Sequence, residues 1–323
     1  MKQLRTPKAV LHALSDGGSA LLCAHIGPDG DTLGSTLALG MALEALGKRV
    51  RLTCADPMPT LYAFMPGIDK IVGPDALTGE TFDLVVAVDV SDPARLGTAR
   101  ALFDAASVRA VIDHHPTNGG FGDANWVAPQ AAATGMLALA CIKGLGVPLS
   151  PEMAECLYVA ISTDTGNFRF ANTDAAALRA AAVLAEVGAR PDKLTELLFY
   201  TRSQAGVALR GRALSTLRLF AGGRAAVMAL TAQDFAQTGA TDSMTEGIVN
   251  YAIEITGVQV AALVRERDGE VKCSLRAREP LDVGLLAQRF SGGGHALAAG
   301  CSLPLPMESA LRDLERAMGE MLQ

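Results

Sequence analysis

"HIGPDGDTLGS" (residues 25–35) sets one histidine, two aspartates and three glycines in eleven positions. "ALLCA" (20–24) before it is apolar, and "TLALGMALEALG" (36–47) after it reads as a helix. The local reading is a buried strand over 20–25 and a helix over 31–46. The turn between them carries His25, Asp29 and Asp31. The same grammar recurs downstream. "RVRLTCAD" (49–56), "DLVVAVDVS" (83–91) and "RAVIDHH" (109–115) read as further strands. Continuous Val/Ile/Leu/Ala runs alternating with helices predict a parallel sheet covered on both faces.

Helices are expected over 132–146 and 151–166. Pro151 suits a first turn, and Asp164 falls at the far end. The expected class is α/β, with a doubly wound, mostly parallel sheet in residues 1–190. A polar helical stretch over 191–214 reads as a linker helix. Residues 215–323 read as a smaller α/β domain. Within it, "RAAVMALT" (224–231) is strand-like, and 258–279 reads as a hairpin around Asp268-Gly269. "TEGIVNYAIEI" and "DVGLLAQRF" read as helices.

Composition narrows the classes. Half the residues are apolar, so a sizeable core is affordable, yet no run reaches the ~18–20 residues that span a bilayer. "MKQLRTPKAVLHAL" lacks the apolar region and cleavage site of a signal peptide and reads as an amphipathic helix. The six cysteines are scattered with no CxxC pair, which reads as reduced core residues in a cytoplasmic protein. Net charge is −6, and all of the excess lies in residues 1–200, which hold 15 Lys/Arg against 21 Asp/Glu. Such a chain does not present the broad basic face that long duplex nucleic acid requires. A short oligonucleotide or a mononucleotide phosphate needs only a few local cations.

Four segments place ionisable groups at the ends of apolar elements: His25, Asp29 and Asp31; Asp89; Asp113, His114 and His115; and Asp164. In an open parallel sheet the strands' carboxyl ends share one edge, where ligands bind. Converging carboxylates repel one another unless cations intervene. Aspartate oxygens with imidazole nitrogens suit two divalent cations, Mn²⁺ first, with Mg²⁺, Co²⁺ or Zn²⁺ as alternatives. A metal pair of this kind activates water against phosphoesters. Singly, Asp29, Asp89 and Asp164 also read as helix caps or turn residues. "DHH" closing a buried strand is harder to explain without pairing or metal.

At this point "HIGPDGDTLGS", "VAVDVS", "VIDHHPTN" and "ISTDTGNFRF" resemble, in order, the four motifs of the DHH phosphoesterase superfamily. "SGGGHALAAG" (291–300) resembles the glycine-rich signature of its accessory DHHA1 domain. The length and closing domain resemble the oligoribonuclease and pAp-phosphatase branch. The resemblance implies that His25 and Asp29 bind one metal, and that Asp31, His114 and Asp164 bind the other. It implies that Asp89 bridges them, His115 reaches the substrate phosphate, and Asp113 orients a neighbour.

Gly292, Gly293 and Gly294 expose backbone N–H groups suited to a phosphate, with His295 beside them and a small-residue helix expected after it. A helix-ending glycine turn is the alternative. Arg276 and Arg278 share one strand face, as a solvated edge or a phosphate clamp. The resemblance favours Arg276 for substrate, and makes Asn250 and Tyr251 candidate base or sugar contacts. The expected activity is hydrolysis of very short RNA and of pAp. A cyclic or linear dinucleotide phosphodiesterase is the enzymatic alternative, and a nucleotide-binding regulatory module the non-catalytic one. A homodimer is compatible with the sequence.

Overall fold

The computed structural model describes residues 6–323. The chain divides into two compact units, one ending at Thr201 and the other running from Arg202 to Gln323. All six cysteines are buried free thiols. Among the described residues no helix is long and apolar enough to cross a membrane.

The first unit begins with α1 (Lys8–Ser15); the first five residues of the expected N-terminal helix lie outside the described residues. Six strands follow: β1 (Ser19–Cys23), β2 (Arg49–Thr53), β3 (Ile71–Val72), β4 (Leu84–Val88), β5 (Val108–Asp113) and β6 (Ala124–Val127). All pair in parallel, in the order β3-β2-β1-β4-β5-β6. The order reverses between β1 and β4, which makes their carboxyl ends the topological switch point. Two of the acidic turns, at His25 and Asp89, follow those two strands directly.

The remaining helices of this unit are α2 (Gly30–Ala45), α3 (Arg100–Asp104), α4 (Thr134–Gly144), α5 (Pro151–Asp164), α6 (Ala175–Val187) and α7 (Pro191–Thr195). One face of the sheet buries Leu22, Val86 and Ile112 against α2, α4 and α5, and the other buries Leu21, Val85 and Val111 against Phe103 of α3 and its neighbours. Burial on both faces explains why these strands read as unbroken apolar runs. Helix α2 lies tight on α5: a Cβ on Gly34 would stand 2.2 Å from the Cys156 carbonyl oxygen. Strands β3 and β6 escape the sequence reading because they are short and carry no valine-rich run.

The stretch 191–214 is not one helix. Helix α7 runs into a π-helical turn at Glu196–Tyr200, the chain is extended at 201–203, and α8 (Gln204–Ser215) starts afresh with Ser203 as its N-cap. The Ser203 hydroxyl accepts from the Gly206 N–H, a local bond that favours a new start over a continuous helix.

The second unit is a six-stranded mixed sheet. Its strands are β7 (Arg218–Phe220), β8 (Ala225–Leu230), β9 (Val260–Arg267), β10 (Glu270–Ala277), β11 (Gly293–His295) and β12 (Ala298–Pro304), ordered β11-β12-β10-β9-β8-β7. One face packs on α11 (Val283–Gln288) and α12 (Met307–Glu320), the other on α8, α9 (Ala232–Thr238) and α10 (Ile248–Ile253). The expected hairpin at Asp268-Gly269 is the β9–β10 turn. The small-residue helix expected after His295 is instead β12. Ala299, Cys301 and Leu303 point inward at every second position, and pairing with β10 overrides alanine's helical preference.

Candidate active site

At the switch point, the side chains that the sequence scatters over 140 residues stand together. Asp29 is the N-cap of α2: its Oδ1 accepts from the N–H groups of Asp31 (3.0 Å) and Thr32 (3.1 Å). Its other oxygen, Oδ2, lies 3.7 Å from His25 Nε2. The capping and metal-binding readings of Asp29 are therefore compatible, one on each oxygen. Asp89 follows β4 with φ of 62°, a left-handed conformation that is costly for aspartate and concentrated at functional sites. Its carboxylate lies 3.5 Å from His25 Nε2, 3.7 Å from His114 Nε2 and 3.7 Å from His115 Nδ1. His114 Nε2 also stands 3.8 Å from Asp31 Oδ2 and 3.6 Å from Asp164 Oδ2.

These separations are too long for hydrogen bonds. They match the spread of atoms that each lie ~2.1 Å from a shared ion. Three groups have donor atoms mutually within 4.8 Å: His25, Asp29 and Asp89; Asp31, His114 and Asp164; and Asp89, His114 and His115. Asp89 and His114 each belong to two of them. Carboxylate oxygens and imidazole nitrogens in this arrangement fit divalent cations of the Mn²⁺ or Mg²⁺ kind.

The electrostatics point the same way. Burial, together with the charges of Asp89, Asp164 and Asp29, raises Asp31 well above the usual carboxylate range, although the Thr134 N–H opposes this. Burial likewise pushes Asp164 up to about 7, with Asp89 and Asp29 adding to it and His114 working against it. Burial opposes a charge on His25, but Asp29 and Asp89 prevail and push it up to about 10. A site without cations therefore holds extra protons where a metal pair would supply positive charge.

Several supporting side chains were invisible in the sequence. The N-terminus of α4 grips Asp31: Thr134 N–H donates to Oδ2 at 2.6 Å and Gly135 N–H to Oδ1 at 2.8 Å. The Thr134 hydroxyl donates to Asp89 Oδ1 at 2.8 Å, and the Ser35 hydroxyl to Asp31 Oδ1 at 3.1 Å. Asp113 is fully buried, where burial alone would raise its pKa. Hydrogen bonds from His115 Nδ1 (2.7 Å) and Asn118 Nδ2 (2.7 Å) instead hold its carboxyl below the usual range. Burial also opposes charge on His115, yet Asp113, Asp89 and Asp164 raise its pKa. Arg95 Nη2 donates to the Ile26 carbonyl at 3.1 Å and lies 2.8 Å from His25 Nδ1. Asn118 falls inside a quoted motif, so only its polar character hinted at a role.

In the second unit the expected binding residues divide. Arg276 is half-buried on β10, with Nη1 on the Leu275 carbonyl at 2.9 Å. Arg278 donates to the carbonyls of Val258 (3.1 Å) and Ile253 (2.8 Å), tying down the end of α10. Asn250 is half-buried in α10, and the neighbouring Tyr251 hydroxyl accepts from Arg210 at 2.8 Å. Gly293, Gly294 and His295 form the exposed edge strand β11. Gly292 and Gly294 serve close backbone packing: a Cβ would meet the Gly300 oxygen at 2.2 Å and the Ala298 oxygen at 2.6 Å. A Cβ on Gly293 would meet nothing within 4 Å, so of the three glycines only this one has room on its side-chain side.

The chain matches two family models: the DHH family, N-terminal domain, over residues 19–161, and the DHHA1 domain over residues 222–323. It is 34% identical to a bifunctional oligoribonuclease and PAP phosphatase NrnA of Thermus thermophilus, over 99% of this chain and 95% of that one. A Bacillus subtilis protein with the same description is 27% identical, over 91% of this chain and 92% of that one. An exopolyphosphatase-related protein from Bacteroides fragilis superposes with a TM-score of 0.92 at 25% identity, covering 96% of this chain and 94% of that chain.

Proposed function

The chain belongs to the DHH family and ends in a DHHA1 domain, and on that premise we propose that it hydrolyses short oligoribonucleotides to mononucleotides and removes a phosphate from pAp. The broader class, a hydrolase of phosphoester bonds, follows from the relatives' shared chemistry. The relatives' descriptions support the finer reading of the substrate. What supports a cation pair is that Asp89 groups with His25 and Asp29 and again with His114, which itself groups with Asp31 and Asp164. His25 and Asp29 would hold one divalent cation, Asp31, His114 and Asp164 the other, with Asp89 between them. Two cations held there would acidify a water and neutralise charge on the phosphate, Mn²⁺ being the ion this donor set suits best.

The protein's own groups do the rest. Asp113, charged by its two hydrogen bonds, fixes the His115 ring, and a cationic His115 is a donor for a phosphate oxygen. Thr134 and Gly135 fix the Asp31 carboxylate, so the donor set is organised before any ion arrives. In the second unit, Arg276, Gly293 and His295 are the residues we assign to phosphate or sugar contacts. Arg278 is assigned a supporting role there through α10.

A panel of pAp, RNA dimers to decamers, cyclic dinucleotides and pyrophosphate, assayed with Mn²⁺ and with chelator, tests this. Mn²⁺-dependent turnover of pAp and of the shortest RNAs is expected. Turnover confined to cyclic dinucleotides would replace this reading with the phosphodiesterase one, and binding without turnover of any substrate would leave a regulatory module.

A further inference from the structure

The segment after Asp164 folds back on itself. Gly166, Asn167 and Phe168 all have positive φ, at 57°, 58° and 61°. Two successive non-glycine residues in this region are strained, and such strain persists only where neighbours over-determine it. Here they do. The Thr165 carbonyl accepts from the N–H groups of Arg169 and Phe170, each at 3.0 Å, and its hydroxyl accepts from the Phe168 N–H at 3.1 Å. The Asn167 N–H donates to the Ser162 carbonyl at 2.6 Å. Asn172 Nδ2 donates to the carbonyls of Asp164 (3.1 Å) and Ala132 (3.0 Å), closing the segment.

The fold-back sends the two phenylalanines in different directions. Phe168 turns inward onto Tyr158, with ring centroids 5.7 Å apart. Phe170 lies across Gly166, where a Cβ would stand 2.3–2.5 Å from three ring atoms. Only glycine admits the ring there. Even so, Phe170 remains 46% exposed. The strained, hydrogen-bonded turn fixes one side of the ring on Gly166 and leaves a π-face available for stacking. The position matters: Gly166 is two residues from Asp164, whose carboxylate is part of the donor cluster. Arg169 sits beside it on the surface, its Nε on the Gly166 carbonyl at 2.8 Å.

We propose that Phe170 is a stacking platform for the nucleobase of the nucleotide whose phosphate occupies the Asp164 cluster. This rests on the nucleotide-phosphate reading above and names the base-recognition element of that site. Because every base has a π-face, the platform accepts all four and reads no sequence. It recognises that a base is present, which separates nucleotides from bare sugar phosphates.

The test is equilibrium binding of AMP and of ribose 5-phosphate to the full chain in Mn²⁺, by calorimetry, for wild type, Phe170→Ala and Phe170→Trp. A stacked base contributes enough that Phe170→Ala should weaken AMP binding about 5- to 100-fold. Ribose 5-phosphate affinity should not change, and Phe170→Trp should keep AMP affinity near wild type. Equal AMP affinity in wild type and Phe170→Ala overturns the proposal. So does an equal loss for ribose 5-phosphate. Neither ligand requires turnover, so a failure of the hydrolysis panel leaves this measurement readable and the two readings separately falsifiable.

Discussion

At Asp89 the backbone, the neighbours and the charge all converge on one carboxylate. It is 2% exposed, held at positive φ, bonded by Thr134 and faced by three imidazoles. Asp89→Asn keeps the shape and removes the charge. Turnover should fall by more than about 100-fold, since orienting partners alone command 10- to 100-fold. Calorimetry should show loss of paired Mn²⁺ binding with the melting transition retained; near-normal kcat would remove Asp89 from the centre of the account. His25, raised to about 10 without metal, must give up its proton to bind one. Mn²⁺ binding near pH 7.5 should therefore release about one proton from this group. Titrations in buffers of different ionisation enthalpy measure it, and buffer-independent heats would contradict it. The ionisable members of the cluster were legible because charges closing apolar runs are conspicuous. Thr134 was not, because a threonine 103 residues from Asp31 carries no signal until the fold brings them together.

Elements turn those side chains toward one another. Helix α2 brings Asp29 and Asp31, α5 brings Asp164, and the N-terminus of α4 bonds Asp31 and Asp89. Thr134→Val removes one hydroxyl and leaves the helix. It should weaken Mn²⁺ binding about 10- to 100-fold with little change in melting temperature; unaltered affinity would make that bond incidental. Gly34→Ala tests the seam of α2 and α5. The added methyl meets the Cys156 carbonyl oxygen and forces the helices apart, at roughly 1–3 kcal/mol. A lower melting temperature with weaker Mn²⁺ binding is expected, and an unchanged one would mean the seam yields freely. The parallel strands were readable because burial on both faces leaves continuous apolar text. Strand β12 was not, because alanine and glycine carry little intrinsic preference for a strand and its pairing partner β10 decides the outcome.

For the whole molecule, the metal-free site sets the pH response. Asp164 (usual value 3.8, folded about 7) and His25 (usual value 6.5, folded about 10) both bind protons more tightly when folded. Stability of the chelated protein should therefore fall as pH rises through 3.8 to about 7 and on toward about 10. Bound Mn²⁺ takes the place of those protons. The gain in melting temperature from Mn²⁺ should grow between about pH 6 and 8.5, and a pH-independent gain would show that these groups do not hold the ion. The chain divides after Thr201, inside the stretch 191–214 that reads as one polar helix, because a single N-cap at Ser203 starts α8 afresh. The most direct test of the central claim is anomalous diffraction from crystals grown with Mn²⁺. Two peaks about 3.5–4 Å apart, both in contact with Asp89, are predicted. A single peak, or two that do not share that carboxylate, would contradict it.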